Sequence, residues 1–172
     1  PAREEPPGRG ASWHRQIQQP FVVTFSLTST PAHIRIAVDA MGGDFAPRNV
    51  VRGAVEAARE SDGRFTVVLV GDRGRIQEEL AAAGDPTPGG IPVEIVHAPD
   101  VIEMSDSPTA ALRSKRESSI AVGLRLHQEG NAHAFLSAGN TGAVMSASTL
   151  ILGRIKGVSR PTIGAVVPTA KG

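Results

Sequence analysis

The 172-residue sequence has no cysteine, no tyrosine and a single tryptophan, and aromatic residues make up 3% of it. Without cysteine there is no disulfide framework, no thiolate metal site and no cysteine nucleophile. So few aromatics supply no stacking platform for single-stranded nucleic acid, and a formal net charge of +1 exerts no global pull toward nucleic acid or anionic lipid. Lysine is scarce as well. Of 18 cations, only Lys115, Lys156 and Lys171 are lysine. This reads mainly as a coding bias, but it makes each lysine worth tracing. Asn131 to Gly153 is a long stretch free of Asp, Glu, Lys and Arg. It is not a membrane span, because Gly139 to Gly142 put polar backbone in its middle. The length suits one domain with something attached, large enough to bury a core without a metal or disulfide staple.

Residues 1–33 are rich in Pro, Gly, Arg and Gln and show no apolar period, so they read as a disordered extension. Within them Phe21 to Leu27 is a short apolar run, an added edge strand or a weak signal-peptide core with poor flanks. Residues 34–172 carry 15 cations and 15 anions. From Ile34 the pattern is regular. IRIAVD (Ile34 to Asp39), FTVVLV (Phe65 to Val70), PVEIVH (Pro92 to His97), AHAFLS (Ala132 to Ser137) and PTIGAVVP (Pro161 to Pro168) read as five strands. Between them, helices are expected from Pro47 onward, from Arg75 to Ala83, from Pro108 to Gly130 with a break near Ser118 and Ser119, and from Thr141 to Leu152. In the first helix Val50, Val51, Ala54, Val55 and Ala58 recur at helical spacing, with Arg52, Glu56 and Arg59 opposite. GDPTPGG (Gly84 to Gly90) reads as loop. Continuous apolar strands alternating with helices predict an α/β fold, a three-layer α/β/α sandwich on a mainly parallel sheet. Such alternation normally continues past a fifth strand, so the chain reads as an amino-terminal fragment.

In open α/β sheets ligands bind beyond the carboxyl ends of the strands, and three loops leave such ends with unusual composition. DAMGGD sets Gly42 and Gly43 between Asp39 and Asp44, allowing backbone to approach a ligand closely. The plainer reading is a tight turn with Asp44 capping the next helix. SAGNTGA, Ser137 to Ala143, offers the flexibility of Gly139 and Gly142, side-chain donors from Asn140 and Thr141, and a helix N-terminus. Together these make an anion site. The plainer reading is N-capping by Asn140 or Thr141. VIEMSDSP, Val101 to Pro108, brings Glu103 and Asp106 before a helix bearing Arg113, Lys115 and Arg116. His97, His127 and His133 lack metal-ligand spacing, so no metal is expected. No G-x-S-x-G elbow, Walker lysine or dinucleotide fingerprint is present.

IAVDAMGGDFAP, VVLVGD, VIEMSDSP, SAGNTGAVM and GRIKGVSRPTIGAVVPT, in this order and spacing, closely resemble the bacterial phosphate acyltransferases of phospholipid synthesis (the PlsX family). The resemblance covers Ile34 to Gly172, about the first half of the family's chain. It implies a fold similar to phosphate acetyltransferases and isopropylmalate dehydrogenases. It implies transfer of a fatty acyl group from acyl carrier protein to inorganic phosphate, with phosphate as substrate and no cofactor. It also implies a homodimer acting peripherally at the cytoplasmic membrane surface, whose product feeds a glycerol-3-phosphate acyltransferase. On that reading the SAGNTG loop, with Ser137, Gly139, Thr141 and Gly142, binds phosphate through backbone N–H groups and the side chains of Asn140 and Thr141. Lys115, Asn140 and Arg160 carry the catalytic assignment, with Lys115 or Arg160 neutralising transition-state charge. Asp39, Gly42, Gly43 and Asp44 orient the substrate. An acidic carrier would dock on cations such as Arg113, Arg116, Arg125, Arg154 and Lys156, although solvated helix faces explain these equally well. Two alternatives stand beside it: a coenzyme A thioester as donor, and a non-catalytic half-domain that binds phosphate or a partner.

Overall fold

A computed structural model describes residues 33–84 and 93–164. The readings made for residues 1–32, for the loop 85–90 and for the second half of the fifth strand lie outside the described residues. The elements are β1 (Ile34–Asp39), α1 (Arg48–Glu60), β2 (Phe65–Gly71), α2 (Arg73–Ala82), β3 (Val93–His97), α3 (Pro108–Ser114), α4 (Ser119–Gln128), β4 (Ala134–Leu136) and α5 (Thr141–Ile151). All pairings are parallel, in the order β3-β2-β1-β4.

The two faces of the sheet follow from strand alternation. Val38, Val67 and Leu69 point to one face and pack with Val51, Ala54 and Ala58 of α1 and Ile76 of α2. Ala37, Val68 and Val70 point to the other and meet Val122 of α4. A third cluster lies outboard, where Ile120 and Leu124 of α4 meet Ala143 and Ala147 of α5 and Ala111 of α3. These three layers are the expected α/β/α sandwich. Gly123 lets α4 come down on the sheet, since a Cβ there would run into the Phe135 ring of β4.

The expected α1 face holds: Val51, Ala54, Val55 and Ala58 are buried, while Arg52, Glu56 and Arg59 are exposed. Pro47 precedes the helix rather than standing in it, and its carbonyl takes the N–H of Val51 at 2.8 Å. The long helix expected from Pro108 does break, into α3 and α4, with Ser118 capping α4 by accepting from the Ala121 N–H. One expectation needs correction. Residues 161–164, where the fifth strand was to begin, are exposed and form no strand.

Candidate active site at the switch point of the sheet

The chain runs outward from β1 through β2 to β3, then returns to place β4 on the other side of β1. The carboxyl ends of β1 and β4 therefore flank the topological switch point, where a crevice opens in this kind of sheet. DAMGGD leaves β1 there and SAGNTG leaves β4.

The two loops are fastened by a part-buried hydrogen-bond chain. Gly139 N–H donates to Ser137 Oγ at 3.0 Å, and Ser137 Oγ donates to Asp39 Oδ2 at 2.7 Å. The other carboxylate oxygen, Oδ1, accepts the Met41 N–H at 3.1 Å. Asp39 is 1% exposed. Its carboxylate is thus buried and ties the two loops together. Gly42 and Gly139 allow this close approach. A Cβ on Gly42 would lie 2.8 Å from Gly139 N, and one on Gly139 would lie 3.1 Å from Gly42 Cα. Gly43 has φ of 103°, a conformation costly for side-chain-bearing residues.

Asn140 caps α5, its Oδ1 accepting the Ala143 N–H at 3.0 Å. Its Nδ2 faces three carbonyls of the preceding loop, Glu103 at 3.2 Å, Met104 at 3.4 Å and Asp106 at 3.1 Å. The amide expected to serve as a phosphate donor is therefore engaged inside the protein. What remains for an anion at this end of α5 are the N–H groups of Thr141 and Gly142, which have no intrahelical acceptor, and the exposed Thr141 hydroxyl. Gly142 also lets α3 approach, as a Cβ there would stand 2.8 Å from Pro108 Cγ.

Lys115 is brought to the same junction. It follows α3, and its ammonium reaches back to Asp106 Oδ2 at 2.5 Å, where the Glu103 N–H also donates at 2.8 Å. The hydrogen bond from Lys115, and after it the one from Glu103, holds the Asp106 carboxyl below its ordinary range. Sequence spacing did not single out Asp106 as a partner for Lys115. Nine residues is no helical pairing distance, and only the C-terminal turn of α3 folds the lysine back.

Beside these groups, an open cleft of about 470 Å³ is lined by Met41, Gly43 and Asp44 on one wall, Glu103 and Met104 on another, and Arg75 at the start of α2. Asp44 does not cap α1, whose start has no side-chain cap; it is exposed toward this cleft. Arg75 and Met41 were not expected here. Arg160 lies in the exposed segment after α5, and no hydrogen bond or ion pair among the described residues joins it to Lys115 or Asn140. Of the cations considered for docking, Arg125 is paired with Glu117 at 2.8 Å and Arg154 donates to the Ser159 carbonyl. His97 and His133 accept the backbone N–H groups of Arg73 and Arg35, and His127 Nδ1 meets the Ala132 carbonyl.

A parallel α/β sheet with two glycine loops meeting at its switch point places this chain in the class of open α/β proteins that hold ligands beyond the carboxyl ends of their strands. Comparison with known proteins narrows this. The family described as "Fatty acid synthesis protein" matches residues 34–172, and the chain belongs to it. Curated relatives named phosphate acyltransferase include those of Koribacter versatilis, 51% identical over 138 residues (80% of this chain, 37% of the relative), and Desulforamulus reducens, 52% identical over 139 residues (81% and 40%). A third, from Moorella thermoacetica, is 52% identical over 139 residues (81% and 39%). The chain spans about two fifths of the length of these relatives. Among the described residues no helix is long and apolar enough to cross a membrane.

Proposed function

We propose that the protein to which this chain belongs transfers a fatty acyl group from acyl carrier protein to inorganic phosphate. The observation that carries this reading is a chain of contacts: Asp106 holds the Lys115 ammonium on its carboxylate and the Asn140 amide on its carbonyl, and Asn140 caps α5. The relatives' name, phosphate acyltransferase, supports it from outside the structure.

Phosphate lies against the Thr141 and Gly142 N–H groups, where the helix dipole favours negative charge. One phosphate oxygen attacks the thioester carbonyl carbon. The C–S bond breaks, the acyl–oxygen bond forms, and the thiolate leaves and takes up a proton. The products are acyl phosphate and free carrier thiol. No covalent enzyme nucleophile is needed, so the protein's work is positioning and charge stabilisation. The Lys115 ammonium neutralises charge developing on phosphate and on the carbonyl oxygen. Asp39 and Ser137 hold the loops, and the cleft beside Asp44 and Glu103 receives the acyl donor. The acidic carrier docks through exposed cations such as Arg113, Arg116 and Lys156. The protein works as a homodimer at the cytoplasmic membrane surface, and its product is consumed by a glycerol-3-phosphate acyltransferase.

The test is thiol release from palmitoyl-carrier protein, with and without phosphate, on the full-length protein and on this chain. Phosphate-dependent release by the full-length protein supports the reading, and release that ignores phosphate overturns it. Exchanging the carrier for coenzyme A distinguishes the two donors. Because the chain spans about two fifths of its relatives, a second reading applies to it alone, a half-domain that binds phosphate without turnover. Phosphate binding without thiol release is its signature.

A further inference from the structure

We propose that Asp106 is a positioning residue that fixes the Lys115 ammonium beside the N-terminus of α5, so that lysine and helix act as one anion-binding unit. The inference rests on the phosphate-transfer reading above and gives a role of its own to the residue that anchors the lysine.

Three contacts converge on Asp106. Its carboxylate takes the Lys115 ammonium at 2.5 Å and the Glu103 N–H at 2.8 Å through the same oxygen, Oδ2. Its backbone carbonyl takes the Asn140 Nδ2 at 3.1 Å. Asn140 in turn caps α5 through Oδ1. One residue therefore links the lysine, the 103–106 turn and the first turn of α5. A lysine side chain has four flexible methylene carbons, and left unheld it samples many positions. Here its side chain is 32% exposed, and among the described residues the contact that fixes its ammonium is Asp106. A surface ion pair of this kind contributes little to stability. Its place at the junction, on the residue whose carbonyl holds the Asn140 amide, gives it a use in orientation instead. Approaching phosphate competes with the carboxylate for the ammonium, so the lysine is delivered to the anion from a fixed starting point.

The experiment is a double-mutant cycle in the full-length protein with Asp106→Asn, Lys115→Met and the pair, plus Asp106→Glu. Phosphate-dependent thiol release is read as kcat and KM for phosphate. Phosphate affinity is measured by titration calorimetry, which does not require turnover. The Asp106→Asn change keeps an oxygen for the Glu103 N–H and removes only the charge. Each single variant should lower kcat/KM for phosphate about tenfold or more, the order of loss expected from misplacing one transition-state group. The double variant should be no worse than Lys115→Met alone, and Asp106→Glu should recover part of the loss. Additive losses would assign Asp106 a structural role independent of the lysine and overturn the inference. So would wild-type behaviour of either single variant. If the wild-type protein binds phosphate but transfers no acyl group, the transfer reading fails, and the same cycle read by calorimetry still decides the positioning role. If it binds no phosphate, both fall.

Discussion

Ser137 Oγ donates to Asp39 Oδ2 across 2.7 Å, joining the ends of two strands that lie 98 residues apart in sequence. The bond bridges the switch point, and with the Gly139 N–H behind it the two glycine loops become one surface.

Removing the carboxylate should therefore loosen both loops. Asp39→Ala strands the Met41 N–H and the Ser137 hydroxyl in a site where the carboxylate is 1% exposed. A buried group left without its partner costs about 1–3 kcal/mol. The expected outcome is a lower melting temperature together with a higher KM for phosphate. Ser137→Ala, which strands the Gly139 N–H and one carboxylate oxygen, should act in the same direction. Thermal unfolding and steady-state kinetics check both.

Asn140 offers a way to separate capping from loop binding. Asn140→Ala loses the α5 cap, worth about 1 kcal/mol, and frees the carbonyls of Glu103, Met104 and Asp106. Asn140→Asp keeps an acceptor for the Ala143 N–H but turns a carboxylate oxygen toward those carbonyls. Both variants should raise the KM for phosphate, because both displace the 103–106 turn that carries Asp106 and with it Lys115. Circular dichroism should show less helix loss for the aspartate variant.

Glycine positions divide by what surrounds them. Gly42→Ala forces a Cβ against Gly139 N, and should reduce phosphate binding by parting the loops. Gly53 lies in α1, is exposed and has nothing within 4 Å of an added Cβ. Gly53→Ala should stabilise the domain by about 0.5–1 kcal/mol through helix propensity alone, with kinetics unchanged. Chemical denaturation of the two variants side by side measures the contrast.

The Asp106 carboxyl is held below its usual range by the hydrogen bond from Lys115 and then by the Glu103 N–H. A depressed carboxyl contributes stability that is present above its unfolded value, about 3.9, and that is lost as pH falls through the folded value. Stability differences between the wild type and Asp106→Asn should thus be constant near neutral pH and shrink below about pH 4. Melting temperatures across that range are the measurement.

Strand and helix positions were largely legible in the sequence because burial imposes a period. β1 was bounded correctly at Ile34–Asp39 since both faces of a central parallel strand are covered, and covered strands read as unbroken apolar runs. The α1 face was legible for the same reason, with Val51, Ala54, Val55 and Ala58 buried. PTIGAVVP reads equally apolar, yet residues 161–164 are exposed and form no strand, because a strand also needs a neighbour to pair with and composition does not supply one.

The site divides along the same line. The sequence by itself determined the α/β class, the two glycine loops and a helix opening at Thr141, because turn chemistry, capping and hydrophobic period are local properties of the chain. Only the tertiary structure decided how those pieces are used. It engaged the Asn140 amide with three carbonyls, buried Asp39 beneath the loops, left Asp44 to the cleft rather than to the α1 cap, and folded Lys115 back onto Asp106. These are partnerships between residues set by strand order and helix packing. No spacing along the chain encodes which of several available donors and acceptors will meet once the sheet has formed.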